Sequence, residues 1–181
     1  MKKKIGLVML LIPILAFSQG KMDRLLVYGK GFMFGVKEPA GWTGDTQNAG
    51  EIGANILFFK NGESFEHFKS FIYVKIMTKT DENIESDMEY DVKQYTKSFP
   101  KMKFKEIELA NSGSRVVAKL FELKGKRHEY VAYINPGKGQ PWMFSAGMNT
   151  GKDKATDAEF AAYRKVVSSL MLVTKNNVTK K

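Results

Sequence analysis

Cysteine is missing from this 181-residue chain. That excludes thiol catalysis, iron–sulfur ligation, cysteine–zinc sites and disulfide staples. Histidine is scarce: His67 and His128 are the only two. A serine-type triad would have to use one of them, and no Gly-x-Ser-x-Gly elbow is present to supply the nucleophile. No apolar run reaches the roughly 20 residues needed to span a bilayer as a helix.

The longest apolar run, residues 5–17, follows Lys2-Lys3-Lys4 and ends at Ala16-Phe17-Ser18. A basic head, a short apolar stretch and a small-x-small end form the pattern of a secretory leader. Residues 1–18 are therefore expected to be a signal peptide cleaved ahead of Gln19. The protein is expected to be exported, to a periplasm or out of the cell. No cysteine stands at that junction to carry a lipid anchor. Cleavage removes three lysines and no acid, which lowers the formal charge from +10 to +7. The remaining residues suffice for one core, burying roughly 70% of the unfolded surface. We read residues 19–173 as a single domain and residues 174–181 as a basic, frayed tail.

Hydrophobic spacing alternates between two periods. Residues 25–30, 32–36, 56–59 and 71–77 read as strands. Residues 43–53, rich in Gly, Asn and Thr, read as a loop. Both faces of 71–77 are largely apolar, which predicts an interior strand. Ile84, Met88, Val92, Tyr95 and Phe99 then recur at helical spacing, with Asp81, Glu82, Glu85 and Asp87 at the start and Pro100 beyond the end. Further strands are predicted over 101–109, 116–123, 130–134 and 142–148. Thr156 and Glu159 form a capping box for a last helix with a stripe of Phe160, Tyr163, Val166, Val167 and Leu170. Strands in hairpin order plus two amphipathic helices predict an α+β fold, an antiparallel sheet with helices packed on it.

The segment Gly31-Phe32-Met33-Phe34-Gly35-Val36-Lys37-Glu38-Pro39-Ala40-Gly41-Trp42, together with this order of elements, resembles the PsbP-like family, which includes DcrB-type envelope proteins. Phe32, Phe34, Pro39, Gly41 and Trp42 carry its opening pattern, and Ser168-Ser169-Leu170 its closing step. The resemblance implies an α-β-α sandwich. It also implies a non-catalytic role, as a binding or assembly accessory, without naming a partner.

The residues themselves offer little chemistry. His67 lies in Glu63-Ser64-Phe65-Glu66-His67, a carboxylate–histidine cluster with no third or fourth metal ligand in sight. His128, among Lys126, Arg127 and Glu129, reads as a surface strand residue. Gly147-Met148-Asn149-Thr150-Gly151-Lys152-Asp153 is one residue short of a phosphate loop and has Asp153 where Ser or Thr belongs. Asp81-Glu82-Asn83-Ile84-Glu85 lacks the glycine and the final Glu of a calcium loop. No cofactor and no catalytic set is expected. Ser145 reads as a small inward residue.

Positive charge is the remaining signal. Lys101, Lys103 and Lys105 alternate with Met102 and Phe104, which puts all three on one side of a strand. Lys124, Lys126 and Arg127 cluster at a hairpin. These six residues are the candidate contact with an anionic surface, either an anionic polymer or a membrane headgroup surface, and the expected partner is an envelope protein or an anionic envelope polymer. The plainer explanation is an edge strand guarded by lysines against aggregation. Nucleic acid is not expected for an exported protein. The alternative function is a small-molecule or metal-ion carrier with a pocket between sheet and helix.

Overall fold

A computed structural model describes residues 24–109 and 116–174. The proposed signal peptide and nearly all of the proposed tail lie outside the described residues. Two antiparallel sheets and two helices make up the fold. The strands are β1 (Leu25–Gly29), β2 (Phe32–Val36), β3 (Trp42–Asp45), β4 (Ile56–Lys60), β5 (Phe71–Thr78), β6 (Lys103–Ile107), β7 (Val116–Leu123), β8 (Arg127–Ile134), β9 (Trp142–Asn149) and β10 (Met171–Leu172). The helices are α1 (Glu85–Ser98) and α2 (Asp157–Ser169). The large sheet has seven strands in the order β3-β4-β5-β9-β8-β7-β6, and a small one runs β1-β2-β10.

Alternation along the strands divides the large sheet into two faces. Ile72, Val74, Ala118, Leu120, Tyr130, Ala132, Phe144, Ala146 and Met148 point to one face. They meet Val27, Phe34 and Val36 of the small sheet and Ala162, Tyr163, Val166 and Val167 of α2. Phe121, Val131, Tyr133 and Met143 point to the other face and meet Ile84 and Met88 at the start of α1. A third cluster, Leu57, Phe59 and Tyr73, is covered by Ala49, Ala54 and Phe65. The result is three layers: α1, the large sheet, then α2 with the small sheet.

The residues of the family-like opening are packing residues here. Phe34 meets Phe144 edge-on at 5.4 Å and Phe32 meets Trp142 at 5.4 Å, which seats the small sheet on the large one. The β1–β2 reversal rests on Lys30-Gly31, where a φ of 82° favours glycine. The Trp42 N–H bonds the Pro39 carbonyl at 3.1 Å, and the ring is buried in the main core. At the far end of the chain, Ser169 Oγ accepts the Lys37 N–H at 2.9 Å. The capping box of α2 is present on both sides of Thr156 and Glu159.

Several boundaries differ from the sequence reading. The expected loop 43–53 contains most of β3 and a 3-10 turn (Ala49–Ile52). Its strand is an edge strand of polar and small residues, so it carries no apolar alternation to betray it. Leu170 caps α2 rather than continuing it, because β10 begins one residue later and pairs with β2. The strand expected over 101–109 is confined to Lys103–Ile107. The strand expected over 130–134 begins three residues earlier, at Arg127.

Candidate functional site

The lysine-rich edge was the site expected from sequence. β6 is the terminal strand of the large sheet, and Lys103 and Lys105 stand exposed on one of its faces, opposite Glu122 and Leu120 of β7. Those four residues and Phe104 line a shallow cavity of about 240 Å³. Lys101 is exposed in the turn before β6, not on the strand, so the expected row of three is a row of two with a neighbour. Lys124 and Lys126 are exposed in the β7–β8 hairpin, whose tight turn closes through the Lys126 N–H to Leu123 O bond of 2.9 Å.

Arg127 is a correction. It was grouped with the surface cations, but its guanidinium turns inward, 2.6 Å from Glu129 Oε2 and over the Phe99 ring at 5.6 Å. His128 is also buried, its backbone tied to Gly151 and Thr150, which continues the pairing of β8 beyond β9. By sequence, Arg127 groups with the hairpin lysines and His128 reads as a surface strand residue; neither is exposed in the fold. Alternation with Val131 and Tyr133 was the signal that puts Glu129 on an inward face. His67 is exposed, in a turn closed by Ser64–His67 bonds of 3.0 Å. Ser145 faces inward, as expected for a small residue.

The polar centre of the molecule lies under α1, and sequence reasoning missed it. Glu129 is 1% exposed. Its Oε1 accepts the Tyr73 hydroxyl at 2.7 Å and the Tyr95 hydroxyl at 3.0 Å, while Arg127 holds Oε2. A buried charge of this kind is tolerated only when paired and hydrogen-bonded. The partners come from β5, α1 and β8. Gly147 of β9 makes the arrangement possible: a Cβ there would lie 2.1 Å from the Tyr73 ring. Burial, reinforced by the Glu129 charge, pushes the Tyr73 and Tyr95 phenols well above their ordinary value, so both remain donors at neutral pH. One turn along α1, Asp91 Oδ2 accepts the Tyr133 hydroxyl at 2.7 Å.

Between this network and solvent is a cavity of about 250 Å³. Tyr73, Lys75 and Met77 of β5 form one wall, Asp91, Gln94 and Tyr95 of α1 the opposite one, and Ser145 of β9 lies on its lining. It is a pocket between sheet and helix. Among the described residues no group of three or more His, Asp or Glu side chains could hold a metal ion, and no helix is long and apolar enough to cross a membrane.

No protein-family model matches the chain, and no curated protein matches its sequence. Among solved structures, the chain is similar to the solution structure of cyanobacterial PsbP (CyanoP) from Synechocystis sp. PCC 6803, with a TM-score of 0.51 at 16% identity. The match covers 89% of this chain and 99% of that one. The fold is therefore PsbP-like, an α+β arrangement of antiparallel sheets and two helices.

Proposed function

We propose that the protein is an exported, non-catalytic accessory of the cell envelope that binds an anionic partner, protein or polymer, along the β6 edge and the neighbouring hairpin. One observation carries this reading. Lys101, Lys103, Lys105, Lys124 and Lys126 are exposed together, and none makes an ion pair among the described residues. The buried Glu129 and Glu159, by contrast, are committed to internal partners. Unpaired cations gathered at one edge create a positive field that attracts anions. The leader-like residues 1–18 support export, and Gln19 is the expected first residue of the mature chain.

Co-sedimentation with isolated envelope fragments tests the binding. Wild-type protein is expected to sediment at low salt and release as salt rises. A variant with all five lysines changed to glutamine is expected to stay in the supernatant. Equal sedimentation of both proteins overturns the lysine edge as the contact. Sequencing the N-terminus of the protein recovered from its host tests export, since a chain that retains Met1 and remains in the cytosol contradicts it. A panel of esterase, phosphatase and peptidase substrates is expected to show no turnover.

A second reading has its own support. The cavity under α1 fits a small-molecule carrier, because it is bordered by polar side chains from three elements and opens between sheet and helix.

A further inference from the structure

The carrier reading can be made more specific, because the cavity under α1 has a definite charge pattern. Lys75 sits on the β5 wall with its ammonium 5.1 Å from the centre of the Tyr73 ring. Asp91 sits on the α1 wall with one oxygen holding Tyr133. The two opposite charges border the same space, yet no ion pair joins them. Ser145 adds a hydroxyl on the lining. It is 3% exposed and pairs across the sheet with Lys75, which sets its hydroxyl beside that lysine on the same wall. Met77 and Phe99 give the same cavity an apolar side.

A ligand with a single charge would shield Lys75 or Asp91 from water while compensating only one of them. A neutral ligand would compensate neither. Either case leaves a desolvated charge, which costs affinity. A ligand carrying both charged groups on one carbon compensates both. We infer that this cavity binds a small zwitterion of the α-amino acid class, with its carboxylate toward Lys75 and Ser145, its ammonium toward Asp91, and an apolar side chain against Met77 and Phe99. This inference rests on the carrier reading and is independent of the lysine edge.

Calorimetric titration of the mature protein tests it, using L-leucine, isoamylamine, isocaproate and glucose as probes. Leucine lacking its carboxylate is isoamylamine, and leucine lacking its amine is isocaproate. Saturable binding of leucine is expected, with each half-ligand about 10-fold weaker or more and glucose not binding. Lys75→Met and Asp91→Asn are each expected to weaken leucine about 10-fold. Thermal melts check that both variants fold, and Ser145→Ala, a small change in size, supplies an independent variant with a smaller loss. Absence of leucine binding at millimolar concentration overturns the inference, as does a half-ligand that binds as well as leucine. Binding of a half-ligand or glucose that Lys75→Met abolishes would overturn the zwitterion while leaving a carrier standing. No heat from any probe, with no extra mass retained by the host-purified protein in native mass spectrometry, would remove both.

Discussion

The two faces of the large sheet are built differently. The face under α2 is closed by apolar side chains from nine strands and a helix, with the Tyr163 hydroxyl donating to Ala146 O at 2.8 Å inside it. The face under α1 is apolar at one end, where Phe121, Val131 and Met143 meet Ile84 and Met88. Toward β5 it turns polar, with Glu129, Arg127, two phenols and an open cavity. Dispersion and burial act without direction and stabilise the first face cheaply. Charged groups need every partner in place, so the second face is sensitive to single atoms. The α2 side holds the larger apolar cluster, and the α1 side holds the buried Glu129 and the cavity.

The largest expected effect tests the first half of that contrast. Tyr163→Ala opens a hole at the centre of the α2 face and is expected to cost about 4 kcal/mol in denaturant unfolding. Tyr163→Phe removes one hydrogen bond and is expected to cost about 1 kcal/mol. A similar cost for both would mean that the polar bond, not the packing, holds this face.

Next comes the pair of half-buried Arg127 and buried Glu129. Arg127→Ala leaves Glu129 without its cation and is expected to cost about 3 kcal/mol. Adding Glu129→Leu to that variant is expected to recover part of the loss, because it removes the uncompensated charge. If the double variant is no better than the single one, the α1 face is held by packing of the Arg127 stem on Phe99, and the contrast between the faces weakens.

Glu159 gives a smaller effect with a pH signature. Burial opposes its ionisation, but the Lys60 ammonium at 2.7 Å, the Thr156 N–H and hydroxyl and the Ser70 hydroxyl outweigh burial and hold the carboxyl at about 2, below its ordinary value of 4.5. A group depressed on folding contributes stability above its unfolded value and loses it as pH falls toward its folded value. Glu159→Gln is thus expected to cost about 1–2 kcal/mol at neutral pH. The gap between variant and wild-type melting temperatures should close as pH falls from 4.5 toward 2. A gap that stays constant across that range would contradict the assignment.

The smallest effect belongs to the edge. Changing the five exposed lysines to glutamine is expected to move stability by less than about 0.5 kcal/mol, because exposed unpaired charges contribute little. A large destabilisation in thermal melts would show that these lysines are structural and would remove the separation between folding residues and binding residues.

Both helices were legible because each buries one stripe against a sheet: Ile84, Met88, Val92, Tyr95 and Phe99 meet the α1 face at helical spacing. Interior strands such as β5 and β9 were legible for the same reason. β3 was not, since Trp42, Thr43, Gly44 and Asp45 include a single large apolar residue and the strand is held by its pairing to β4. The lysine edge was legible as a charge pattern. The cavity was not, because Tyr73, Lys75, Asp91, Tyr95 and Ser145 are scattered over seventy residues of chain and meet only through the β5–β9 and β8–β9 pairings and the packing of α1. Glu129 was hidden by its neighbours: an acid beside Arg127 and His128 looks solvated until the register turns it inward.

The way α2 is fastened has a kinetic consequence. At its first turn, Glu159 grips Lys60 and Ser70, 99 and 89 residues earlier in the chain; at its last, Ser169 accepts from Lys37, 132 residues earlier. Ties of such range cannot form until the ribosome has made almost the entire polypeptide, and closing such long loops is slow. The docking of α2 is therefore one of the last steps available to the growing chain, completed only when synthesis is nearly over.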